Sequence, residues 1–526
     1  MALRTIATMS STSSDVTAEP AADAPVPPRA LPNGLAAFLV FLSSGAVLVL
    51  ETVSLRLVGP YVGVTLQVTS SVIGMALAAI AYGAWFGGWL ADRRDPRTLL
   101  APALVLAGIA TAVTLPIVRY AGEVLRGGAA SAVLLLTALT VLLPAALLAA
   151  ITPLVVKLQL ADLRRTGQVV GKLSSIGTLG GITATLGTGF ILVAALPSSV
   201  IVLALAAVIG VTGVALGVWL RRQAGPTGLA APGRVKAALA LLGLAAAGLT
   251  AAAPNPCDVE TAYHCARVEV DPSWPQGRTL YLNSAEHSYV DLNEPNHLKY
   301  AYTQWIGLVA DVARPAKQPM DALHLGGGGF TVPNYLAATR PGTDNLVFEL
   351  DGGLVELDRR ELGLRTGPQM RAEVGDARVL LRGEPADSRD FVVGDAFGHL
   401  VVPWHLATRE MAADIRRVLR PDGIYVQNVI DYPPGRFIRA ELATVKAEFA
   451  HVALIAPPGA IDGEQGANFV IVASDAPLPL AAIPPGLKLL PERAELMDEA
   501  AVTGWVGDAM VLTDDYAPVD QLLATA

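Results

Sequence analysis

The chain has 526 residues, 52% of them hydrophobic and 16% charged, with a mean hydropathy of +0.48. That composition excludes an ordinary soluble protein of this length. A net charge of −8 and a pI near 5.5 leave no basic footprint for nucleic acid.

Residues 1–33 are rich in Ser, Ala and Pro and lack an apolar run, so they read as a disordered tail and not as a signal peptide. Residues 34–253 hold nearly all the long apolar runs and read as a membrane domain of about seven transmembrane helices. The runs fall near 34–56, 67–90, 98–118, 131–156, 169–194, 198–220 and 236–253, the last short and Ala-rich. Arg4 and Arg29 precede the first run; Arg93, Arg94 and Arg97 follow the second; Lys157, Arg164 and Arg165 follow the fourth; Arg221, Arg222, Arg234 and Lys236 follow the sixth. The alternate ends carry mainly Arg56, Arg119 and Arg126, so the richer side is expected to be cytoplasmic. If the seventh run spans, everything after it lies outside the cytoplasm of a cell-membrane protein. If it does not, the remainder is cytoplasmic.

Within this half, GGWLADRRDPR (87–97) resembles the loop signature of major-facilitator transporters, though a plain positive-inside loop reads the same way. Glu51 is an intramembrane carboxylate, either functional or a partner for Arg56. Gly177, Gly181, Thr185 and Gly189 recur every four residues as a small-residue packing stripe. Pro153 and Lys157 suit a kink and an anchor.

From residue 254 the composition is that of a soluble domain large enough for its own core. Cys257 and Cys265, the only two cysteines, are close enough to close a small hairpin disulfide, which would suit an oxidising compartment; two reduced thiols are the alternative. Residues 254–295 alternate short β-rich runs (264–272, 277–284 and 287–292) and are expected to form a small antiparallel sheet. A helix near 297–313 leads into 296–526, where strands near 323–327, 345–351, 391–397, 423–431, 451–457 and 468–474 alternate with helices, one at 404–419. That alternation implies an α/β, Rossmann-like, mostly parallel sheet covered on both faces. Gly326, Gly327, Gly328 and Gly329 close the first of these strands, and Glu349 ends the next. Glycines admit a ligand to the backbone, and an acid at that spacing suits ribose hydroxyls, so the pair points to nucleoside binding. The dinucleotide pattern fails, because Thr331 stands where its third glycine would be. His287, His297 and His405 lack metal-ligand spacing, so no metal is expected. Tyr300 and Tyr302 read as packing, and Asp514, Asp515 and Asp520 either as a closing segment or as an Asx-capped turn.

The pieces GRTLYLNSAEHSYVDL, LHLGGGGF, VFELD, GDAR, FVVGDAFG, HLATREM and LTDDYAPVDQL occur in an order that resembles the spermidine synthase (polyamine aminopropyltransferase) family. With RLVGPYVG and GKLSSIGTLGG they resemble its branch fused to a membrane domain. The resemblance implies a small β domain on a methyltransferase-like sheet, and transfer of an aminopropyl group from decarboxylated S-adenosylmethionine to an amine. It implies that Glu349 holds the ribose, Asp376 faces the adenine, and Asp395 orients the amine and takes its proton. The chain departs from the pattern: Gly329 and Phe330 replace an Asp and a Gly, Gly398 replaces a second acid, and His287 stands at a Gln. Losing two carboxylates argues against plain putrescine as acceptor. S-adenosylmethionine-dependent methyl transfer, a non-catalytic extracytoplasmic binding module, and a transporter-associated domain with Glu51 essential remain alternatives. The expected partners are the bilayer, a small amine or other acceptor, and a second copy in a homodimer.

Overall fold

A computed structural model describes residues 30–126, 130–160, 163–224, 233–398 and 402–523. The expected tail, up to residue 29, and Arg4 and Arg29 lie outside them.

Among the described residues, seven helical segments are long and apolar enough to cross a membrane. They are α1 (Asn33–Val62), α2 (Leu66–Arg93), α3 (Pro96–Leu125), α4 with α5 (Ala130–Ala149 and Ile151–Gln159), α6 (Thr166–Gly187) running through a π turn (Thr188–Leu192) into α7 (Val193–Ala195), α8 (Ser198–Ala224) and α9 (Gly233–Ala252). The fourth segment breaks at Ala150, where Pro153 has no N–H to offer the preceding turn. Backbone approach sets the packing. A Cβ on Gly83 would sit 2.2 Å from the Ala146 carbonyl oxygen, and one on Gly180 2.4 Å from that of Phe41. The stripe on α6 is therefore only partly as its spacing suggests. Gly177 and Gly181 meet Ser44 and Leu48 of α1, the tightest contact belongs to Gly180, and Gly189 has nothing within 4 Å. The π turn rotates that face away after Gly187.

The soluble half opens with a four-stranded antiparallel sheet in sequential order, β1 (Val259–Glu260), β2 (Cys265–Asp271), β3 (Trp274–Leu282) and β4 (Ala285–Asp291). Cys257 and Cys265 are joined in a disulfide, Cα atoms 5.2 Å apart, beside β1. Next come α10 (Ala301–Ala313), β5 (Asp321–Leu325), α11 (Thr331–Thr339), β6 (Asp344–Glu349), α12 (Gly352–Glu361), β7 (Met370–Val374), α13 (Ala377–Leu381), β8 (Arg389–Gly394), α14 (Arg409–Val418), β9 (Leu419–Asp431), α15 (Arg436–Lys446), β10 (His451–Ala456), β11 (Ala467–Ser474) and β12 (Glu495–Met497). They form one eight-stranded sheet, ordered β12-β10-β11-β9-β8-β5-β6-β7. Strands β5 to β9 pair in parallel, while β10, β11 and β12 pair antiparallel. The parallel strands are apolar on both faces because helices cover both.

Local capping moves several boundaries. The strand expected over 345–351 stops at Glu349, because Asp351 caps α12 by accepting from the Gly353 and Leu354 N–H groups. The helix expected over 404–419 is a 3-10 turn followed by α14, because Thr408 caps at Met411. The helix near 297–313 begins only at Ala301.

The chain lays β5, β6 and β7 outward in one direction, then returns to place β8 on the other side of β5. That reversal opens a crevice beyond the carboxyl ends of β5 and β8, where open α/β sheets bind ligands.

Candidate active site at the strand reversal

Two chain segments meet at this crevice. The glycine loop follows β5, and Asp395 follows β8. The contact demands glycine: Gly326 has φ +97°, and a Cβ there would lie 2.4 Å from the Asp395 carbonyl oxygen. The Asp395 N–H also donates to the Leu325 carbonyl at 2.9 Å, which locks the two strand ends together.

Glu349, at the end of β6, is turned onto the glycine loop. Its Oε2 accepts from the N–H groups of Gly327 (2.8 Å) and Gly328 (3.2 Å), and its Oε1 from that of Asp351 (2.9 Å). Burial raises its pKa against the pull of these three donors. Gly329 donates to Ser288 Oγ at 3.0 Å, so β4 of the small sheet covers the loop. Phe330 takes a left-handed conformation, fully buried against Val347, Val355, Leu364 and Met370. The departure from a terminal glycine thus fills core.

Asp376 caps α13: its Oδ1 accepts from the N–H groups of Arg378 (2.9 Å) and Val379 (3.2 Å), and its Oδ2 lies 2.9 Å from His405 Nε2. Behind it, Arg378 donates to both oxygens of Asp514 (2.7 and 2.6 Å), and Thr408 donates to Oδ1 of the same carboxylate at 2.8 Å. The carboxy-terminal LTDDYAPVDQL segment therefore braces α13, a role neither sequence reading proposed.

Asp395 reaches the floor of a cleft of about 590 Å3. Asn428 Nδ2 donates to its Oδ1 at 2.9 Å, and the Tyr302 hydroxyl donates to the same carboxylate. Desolvation nevertheless pushes its pKa up to about 6. Tyr302, read from sequence as packing, is thus a direct partner of this acid. The cleft is also lined by Glu286, Lys299, Tyr300, Gln465, Asn468 and Glu492. Lys299 pairs with Asp271 at 3.0 Å, and Tyr300 donates to Glu286 at 2.6 Å. Spacing along the chain gave no sign of Glu286 or Glu492, which come from β4 and from the segment before β12. The expected nucleoside residues Gly326 to Gly329, Glu349 and Asp376 and the expected acid Asp395 all stand at the carboxyl edge of the one sheet. Among the described residues, no cluster of His, Cys, Asp or Glu could hold a metal ion.

A hydrogen-bonded path joins this edge to the long apolar helices. Arg56 of α1 donates to the carbonyls of Thr261 and of Ala262 (2.5 Å for the latter). Thr261 Oγ1 donates to Asp351, His264 Nδ1 lies 3.2 Å from the same carboxylate, and the Asp351 N–H donates to Glu349.

No protein-family model matches the chain. A curated polyamine aminopropyltransferase of Vibrio vulnificus is 26% identical over 219 residues, which cover 39% of this chain and 70% of the relative. Over that stretch the chain is similar to this polyamine aminopropyltransferase. Among solved structures, a probable spermidine synthase from Corynebacterium glutamicum shares 28% identity over 50% of this chain and 96% of its own, with a TM-score of 0.46. A spermidine synthase from Thermotoga maritima shares 15% identity over 50% of this chain and 81% of its own, with a TM-score of 0.33.

Proposed function

We propose that the soluble half is a transferase that moves an aminopropyl group from decarboxylated S-adenosylmethionine to an amine. The observation that carries this is the partly buried Asp395, its pKa raised, held by Tyr302 and Asn428 on the floor of the cleft that adjoins the glycine loop. An attacking amine must be neutral. Asp395 accepts its proton as the nitrogen–carbon bond forms and the carbon–sulfur bond of the donor breaks, releasing a thioether nucleoside. The residues present suit such a donor. Glu349, with three backbone donors on it, keeps one lone-pair site for a ribose hydroxyl, the glycine loop brings backbone to the crevice, and Asp376 Oδ2 can exchange His405 for an exocyclic amino group. The two carboxylates missing at Gly329 and Gly398 are answered by Glu286 and Glu492 in the cleft, which supports a cationic acceptor of different reach from putrescine.

The test is turnover by the full-length protein with decarboxylated S-adenosylmethionine and a panel of amines, scored by thioether nucleoside release. Activity in the wild type and a loss of 10²-fold or more in Asp395→Asn is the expected result, in the range of general-base catalysis. Equal turnover in both would remove Asp395 from the mechanism. Methyl transfer from S-adenosylmethionine in place of aminopropyl transfer would replace the proposed reaction.

We further propose that the soluble half lies on the extracytoplasmic face. The ends of α1 and α3 that touch it, through Arg56, Arg119 and Tyr120, are opposite to the Arg-rich ends. The Ser198 N–H at the start of α8 likewise meets Glu260 of β1 at 2.6 Å. The buried Cys257–Cys265 disulfide suits that compartment. Reporter fusions after Lys236 and after Pro254 that give opposite signals would support this, and matching signals would refute it.

A further inference from the structure

Helices α8 and α9 both pack on α3, and between them a trough of about 350 Å3 opens. Its walls are apolar along most of their length: Ala101 and Val105 from α3, Val214 and Val218 from α8, Leu239 and Ala240 from α9. Val214 and Val218 are exposed in the protein alone, as a surface meant for hydrocarbon would be. One end is different. Arg97 at the start of α3, Arg221 near the end of α8 and Lys236 near the start of α9 converge there. Among the described residues none of the three forms an ion pair, in contrast to Lys157, which pairs with Asp92 at the same membrane face. The Arg97 Nε is buried and has no hydrogen-bond acceptor among the described residues. A buried donor of that kind calls for an external acceptor. From Arg97 to Val105 the trough descends about 12 Å along α3, at about 1.5 Å per residue. That depth is close to one leaflet of a hydrocarbon core about 30 Å thick.

We propose that this trough binds one anionic phospholipid, its phosphate on Arg97, Arg221 and Lys236 and one of its two acyl chains along Val105, Val214 and Ala240. Three unpaired cations select negative charge. The apolar depth selects a lipid over a free phosphate. The site sits on the Arg-rich face, the one expected to border the anionic cytoplasmic leaflet. It also gives α9, the least buried of the spans, a filler on the side where protein does not cover it.

The experiment is native mass spectrometry of the full-length protein released from nonionic detergent, with phosphatidylglycerol or phosphatidylcholine added. The expected result is one phosphatidylglycerol retained per chain and no comparable retention of phosphatidylcholine. The variant Arg97→Gln/Arg221→Gln/Lys236→Gln should weaken retention on the order of a hundredfold, at about 1 kcal/mol per cation. A control of equal charge, Arg93→Gln/Arg94→Gln/Lys172→Gln, should retain the lipid. Val214→Trp, which fills the trough and keeps every cation, should lose it. Equal loss in the control, equal retention of phosphatidylcholine, retention by Val214→Trp, or full competition by soluble glycerol phosphate would each overturn the proposal.

Discussion

The two halves use glycine for opposite ends. In the amino-terminal helical half Gly83, Gly87 and Gly180 bring one helix backbone onto another. In the soluble half Gly326 and Gly328 have positive φ and shape a loop at the edge of a crevice. The difference follows from the solvent. Lipid supplies no hydrophobic force between apolar helices, so close van der Waals contact must hold them. Water drives the sheet and its helices together, and the close backbone contact of Gly326 on Asp395 serves to shape the site.

This contrast can be broken most severely on the membrane side. Gly83→Leu should separate α2 from α4 and abolish a folded membrane unit, seen as loss of a monodisperse peak in detergent, while the soluble half keeps its fold. An intact peak would show that backbone contact is not what holds these helices. On the soluble side the largest effect is expected at Arg340. Its guanidinium is buried and donates to four backbone carbonyls, of Ala310, Arg314, Pro315 and Gln318. Arg340→Met should leave those carbonyls unpaired and cost about 3 kcal/mol or more in chemical unfolding.

A second effect should track pH. Glu441, fully buried beside Gln427, has its pKa pushed up to about 8 by desolvation. The folded state keeps this proton while the unfolded chain gives it up near pH 4.5, so stability should fall as pH rises from there to about 8 and then level off. Glu441→Gln should flatten that slope in unfolding curves across the same window; an unchanged slope would place the proton elsewhere. Asp395, raised to about 6, acts in the same direction over a narrower window. In the proposed reaction the carboxylate is the working form, so turnover should rise with pH through about 6, and Asp395→Asn should erase that limb. The smallest expected change is at the junction. Arg56→Met should weaken nucleoside binding only a few-fold through Thr261 and Asp351, with no change in the pH of the turnover limb.

Much of the site was legible from short-range order. A glycine loop after a strand, an acid at the end of the next strand, and GDAR and GDAF turns are local patterns, and the sheet brings them together at its reversal. What was not legible depends on chain segments far apart. Arg378 and Asp514 are 136 residues apart, and Arg56 and Thr261 are 205. Neither pair has a period or spacing to betray it. Tyr302 was misread for the same reason: on an amphipathic helix an aromatic at an inward position reads as packing, and only the fold shows that its hydroxyl meets Asp395. The helix and strand limits at Asp351 and Thr408 were missed because a capping side chain outweighs apolar run length.

The account rests on the glycine loop and Glu349 forming a nucleoside corner. Calorimetric titration of the full-length protein with 5′-methylthioadenosine measures that directly, without needing the acceptor. Saturable binding that is lost in Gly328→Val and weakened at least tenfold in Glu349→Gln is the predicted result. No binding of this nucleoside or of S-adenosylmethionine by the wild type, in a sample whose soluble half is folded, would contradict it.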